Sequence, residues 1–113
     1  MGDLSAHFSM REFVCPHCNG GFPRPRLLAL LEKIRYAYGK PLVVRSGYRC
    51  PIHNKRVGGA AMSQHMLGSA ADIPPIGLSL EAARRLGAVG CGLKGDEVVH
   101  VDVRDGVAQT WHY

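Results

Sequence analysis

No apolar run in this 113-residue chain approaches the roughly 20 residues that a membrane-spanning helix needs. Met1 to Arg11 has neither the basic start nor the apolar centre of a secretory signal. That predicts a chain that is cytoplasmic as made, or one that leaves the cell by lysis or a non-standard route. Internal repeats and low-complexity tracts are also missing, which excludes a solenoid. Acidic residues are scarce, nine against fourteen lysines and arginines, so the net charge is +5 and the pI about 9.3. Such a balance favours an anionic partner. The basic residues are dispersed, however, and no aromatic RNA-recognition motif accompanies them, so a nucleic-acid partner is not expected. A second Cys-x-x-Cys is absent too, so the chain falls short of a full zinc ribbon.

What is present describes one domain spanning 1–113. With 46% apolar and 20% charged residues the composition is that of an ordinary globular protein, long enough for one modest core. Ser9 and Glu12 form a capping-box pattern that predicts a short helix after Ser9. Pro25 opens a helix to about Tyr38, with Leu27, Leu28, Leu31 and Ile34 on its inward face and Gly39 ending it. Pro41 to Arg45 is a β-branched run that reads as a strand, and Cys50 to Val57 as a helical turn. Ser69 to Ile73 reads as a second strand, and Ser79 caps a helix reaching Leu86 or Ala88. Val98 to Val103 alternates as a half-buried strand, which puts His100 and Asp102 on one face and Val99, Val101 and Val103 on the other. Asp105-Gly106 reads as a hairpin turn into a last strand ending at Trp111. The expected architecture is α+β: a small, mainly antiparallel sheet with two or three helices on one side.

Four cysteines stand at positions 15, 18, 50 and 91. Cys15-Pro-His-Cys18 has the spacing of a zinc knuckle, and Cys50 is placed to join it, with His17, His53 or Cys91 as the candidate fourth ligand. A disulfide or buried thiols are the other readings of these cysteines. Cys91, between two glycines, reads as a core residue.

The densest chemistry lies in Ser63-x-His65-x-x-Gly68-x-Ala70-x-Asp72 and in Glu97-x-x-His100-x-Asp102. His65, Asp72 and His100 read as one metal site. Two imidazoles and one carboxylate leave a tetrahedral zinc with an open position, as a hydrolytic zinc requires. This ordered set resembles the zinc D-Ala-D-Ala carboxypeptidases and their L-Ala-D-Glu endopeptidase relatives, whose fold is shared by hedgehog signalling domains. Supporting stretches are His7-Phe8-Ser9 with Glu12-Phe13, Ser46-Gly47-Tyr48-Arg49, and His53-Asn54 through Val57-Gly58-Gly59-Ala60.

The resemblance implies a zinc peptidase acting on peptidoglycan stem peptides, with one catalytic Zn2+ on His65, Asp72 and His100. By the same resemblance Glu97 is the general base, Arg49 binds the substrate's carbonyl or carboxylate, and Ser63 contacts substrate or shapes its loop. Asp96 is an alternative base, and Asp102 is read as a partner that orients His100 or another ligand. A second, structural zinc on Cys15, Cys18 and Cys50 is one further expectation, and a monomer is another. The rival readings are a hedgehog-like zinc-binding or wall-binding module without catalysis, and a small nucleic-acid-binding zinc protein built on Cys15 and Cys18.

Overall fold

A computed structural model describes residues 2–113. A single 3-10 turn, Met10–Glu12, follows Ser9, whose amide donates to the Glu12 carboxylate at 2.6 Å. The helices are α1 (Pro25–Tyr38), α2 (Pro51–Arg56) and α3 (Leu80–Leu86). The strands are β1 (Ala70–Asp72), β2 (Gly90–Lys94), β3 (Glu97–Asp102) and β4 (Gln109–His112). They form one mixed sheet in the order β1-β3-β2-β4. β3 pairs antiparallel with both β1 and β2, and β4 pairs parallel with β2. The fold is therefore α+β, as expected. No helix among the described residues is long and apolar enough to cross a membrane.

The helix ends follow local chemistry. Gly39 and Gly87 close α1 and α3 in the left-handed region, at φ 77° and 117°. The Ser79 hydroxyl caps α3 by accepting from the Ala82 amide at 3.1 Å. Leu27, Leu30, Leu31 and Ile34 of α1 and Ala83 of α3 pack with Ala71, Cys91, Val98 and Val101 of the sheet into one core. Cys91 is a core residue, and the sheet's other face is left for the cleft.

Three expectations need correction. Pro41 to Arg45 makes no strand. Only a bridge between Ser46 and Asp72 forms there, because three-residue β1 offers too short an edge to pair along. Asp105-Gly106 does not turn a hairpin onto β3. Both edges of β3 are already taken by β1 and β2, so the chain crosses to the free edge of β2 and runs parallel to it. Finally, Val99 does not face the core. Gly92 opposes His100 while Leu93 opposes Val98, so Val99 is the extra residue of a bulge. It lines the cleft with His100, while Val98, Val101 and Val103 face in.

Candidate metal centre

Ser63 opens a 3-10 turn, Gln64–Leu67, by accepting the His65 amide at 3.2 Å. Gly68, at φ 71°, ends that turn and sends the chain into β1. The turn drops His65 over Asp72, the last residue of β1, and β3 sets His100 directly opposite Asp72. Asp72 Oδ1 lies 3.3 Å from His65 Nε2 and 3.0 Å from His100 Nδ1. One donor atom from each of the three lies within 4.8 Å of the others.

Each donor is held from behind. His65 Nδ1 meets the Gly47 carbonyl at 2.7 Å. A carbonyl only accepts, so that nitrogen carries the proton and Nε2 keeps its lone pair for the site. His100 Nε2 meets Asp102 Oδ2 at 2.9 Å, which leaves Nδ1 free in the same way. Asp72 Oδ2 accepts from Arg49 Nη2 at 2.8 Å, which leaves Oδ1 facing both rings. Two oriented imidazoles and an oriented carboxylate fit a zinc ion, and fixed outer partners of this kind set ligand tautomer and basicity.

Asp102 is wholly buried and fully engaged. Its oxygens also accept from the Gly90 amide at 3.0 Å and from Arg104 Nε and Nη2 at 2.9 and 2.7 Å. Burial opposes ionisation of Asp102, but the bonds from His100 and Arg104 outweigh it and hold the carboxyl well below the usual carboxylate range. Asp72 shows the same outcome, against burial, from the His100 and His65 bonds. His100 is shifted upward: burial pushes it down, and its two aspartate partners more than compensate.

The centre opens on a cleft of about 760 Å³ whose lining includes Arg45, Arg49, Ser63, Arg104, Trp111 and Tyr113. Arg49 is braced by Ser46 Oγ at 3.0 Å as well as by Asp72. The Trp111 ring packs 4.8 Å from that of His100, with the Arg104 guanidinium 5.3 Å from the Trp111 ring centre. Trp111 thus walls the candidate metal site, a place that its position at the end of the last strand did not foretell. Arg104 was also missed. Its only signal was its place two residues after Asp102, on the side of the strand that carries His100.

Not every expected residue reaches the cleft. Glu97 starts β3, and its carboxylate accepts from the exposed Gly77 amide at 2.6 Å, so it is not among the lining residues. Asp96 sits in the exposed β2–β3 turn. Asp72 is the one carboxylate lining the cleft among the described residues.

A separate group gathers Cys15, Cys18 and Cys50, one sulfur from each within 4.8 Å of the others. Burial alone would raise the Cys15 thiol, but amides of Cys50, Cys18 and His17 directed at its sulfur bring it down to about 7. Cys91 stands apart from this group in the core, beside Arg84.

The family model described as Peptidase M15 matches residues 6–102, which span both histidines, Asp72 and Asp102. The zinc D-Ala-D-Ala carboxypeptidase of Streptomyces albus G is 48% identical over 44 residues, covering 38% of this chain and 17% of that protein. The matched stretch is thus under a fifth of that relative's length.

Proposed function

Because the chain belongs to the Peptidase M15 family, we propose that it is a zinc peptidase that hydrolyses peptidoglycan stem peptides at a bond next to a D-amino acid. The observation that carries this reading is the set of His65 Nε2, Asp72 Oδ1 and His100 Nδ1, each turned to one point by a partner on its far side. A zinc ion held there supplies a Lewis acid that polarises the scissile carbonyl and acidifies water at neutral pH.

The chain's own residues do the rest. Arg49 and Arg45, both lining the cleft, bind the carboxylate or carbonyl of a stem peptide. Trp111 covers His100 and keeps bulk water from that side. Ser63 shapes the turn under His65 and offers the substrate a hydroxyl at the cleft wall. Glu97 is the proposed proton carrier to the leaving amine. One of its oxygens accepts the Gly77 amide. The charge of +5 draws the protein to anionic wall polymers.

One observation favours a second reading, a zinc-dependent wall-binding module without turnover: no carboxylate other than Asp72 lines the cleft among the described residues. Mass spectrometry of defined muropeptides, incubated with zinc-loaded protein and with a chelated aliquot, separates the two. Chelator-sensitive release of a terminal D-alanine, or a cut after L-alanine, is the expected result and names the bond. Intact stem peptides in both aliquots would leave the binding module.

A further inference from the structure

The loop Cys15-Pro16-His17-Cys18-Asn19-Gly20 closes on itself. Asn19 takes the left-handed conformation at φ 57°, the Asn19 amide bonds the Cys15 carbonyl at 2.7 Å, and the Cys15 amide bonds the Gly20 carbonyl at 2.9 Å. This turn brings two sulfurs to one side, and Cys50, at the N-cap of α2, brings a third from 35 positions beyond Cys15. Each sulfur accepts at least one backbone amide: Gly20 to Cys18 at 3.4 Å, Cys50 to Cys15 at 3.4 Å, and His53 to Cys50 at 3.5 Å. His17 adds a nitrogen, its Nδ1 3.4 Å from Cys50 Sγ.

Amide donors on all three sulfurs suit thiolates. A disulfide would use two of the thiols and leave the third alone in the cluster. Thiolates around zinc, with Zn–S bonds near 2.3 Å, stand about 3.8 Å apart. The observed set, within 4.8 Å, needs only a small contraction to reach that. We propose that Cys15, Cys18 and Cys50 hold a structural zinc ion, with His17 as the fourth ligand in place of His53 or Cys91.

This site supports the cleft without touching substrate. Cys50 directly follows Arg49. The Tyr48 amide bonds the Phe13 carbonyl at 2.8 Å, and a Cβ on Gly47 would come within 2.7 Å of Phe13 Cα. The Gly47 carbonyl is the one that orients His65. Metal at the cysteines ties residues 15–18 to the loop that carries both Arg49 and that carbonyl.

The test is cobalt(II) substitution of the full chain under reducing conditions, read by absorption, with zinc content measured on the native protein. Thiolate-to-cobalt charge transfer can come only from the cysteine site, because the His65–Asp72–His100 site has no sulfur. The expected result is a charge-transfer band in the parent, its loss in Cys18→Ser with one equivalent of zinc fewer, and its persistence in His65→Ala. Cys18 is exposed, so this variant should fold. His17→Ala should keep the band but lose metal to a chelator more readily, and unchanged retention would remove His17 from the shell. A parent without the band, or a band and zinc content unaltered by Cys18→Ser, would overturn the site. A parent that holds only the sulfur-bound equivalent of zinc would count against the peptidase reading and leave this one standing.

Discussion

His100 Nε2 and Asp102 Oδ2 lie 2.9 Å apart, two residues along one strand, with the carboxylate wholly buried and also held by Arg104. A metal bound there would feel Asp102 through His100. Asp102→Asn should lower zinc affinity by about 10- to 100-fold, the usual cost of losing such a partner. A competition titration against a chromophoric chelator reads this directly. Affinity equal to the parent's would show that His100 needs no such support.

His65→Ala and His100→Ala should each abolish zinc retention at the centre and activity together. Glu97→Gln should leave zinc in place and lower kcat by about 10²- to 10⁴-fold, the range for a lost general base. Parent-level turnover in Glu97→Gln would refute that assignment.

Arg49 spreads its guanidinium over Ser46 Oγ and Asp72 Oδ2. A lysine keeps the charge but cannot hold both partners in that fork geometry. Arg49→Lys should reduce kcat/KM by about 10- to 100-fold, the equivalent of one charged hydrogen bond. Steady-state kinetics on a stem peptide measure it, and an effect under twofold would make Arg49 a bystander.

Gly90 and Gly92 stand directly opposite Asp102 and His100 across β2 and β3. A Cβ on Gly90 would come within 2.1 Å of Asp102 Oδ2, and one on Gly92 within 2.6 Å of Trp111 Nε1. Gly90→Ala should therefore destabilise by about 1–3 kcal/mol through overpacking and weaken zinc binding as well. Denaturant unfolding and metal titration check the two effects. Loss of stability without loss of zinc affinity would separate the packing from the site.

Glu32 accepts from the Ser5 hydroxyl at 2.6 Å and from the His7 amide at 2.8 Å, and its other oxygen meets His7 Nδ1 at 2.6 Å. Burial would raise its pKa, but these bonds outweigh it and lower the carboxyl from its ordinary 4.5. A folded-state pKa below the unfolded one adds stability that is complete above pH 4.5 and is lost as pH falls further, through the folded value. Melting temperatures of the parent and Glu32→Gln should thus differ by a constant amount above that pH and converge below it. A gap that persists undiminished into acid would show another origin.

The sequence by itself determined the helices and the residue types of the site, but not β2 at Gly90–Lys94. Proline at its start and glycine at its end bounded α1, Ser79 and Gly87 bounded α3, and the ordered His65, Asp72 and His100 pattern pointed to a metal. These signals are local: each acts through backbone conformation or through chemistry borne within a few residues. Tertiary structure decided which edges paired, and with them which side chains met. β4 runs parallel to β2 because β3 had no free edge, and that crossing is what lays Trp111 against His100. A single bulge residue turned Val99 to the cleft. Glu97 settled on the Gly77 amide, Arg104 on Asp102, and Cys50 beside Cys15. Periodicity along one strand carries no information about its neighbour, so contacts between distant segments emerge only when the whole core packs and each strand edge finds its partner.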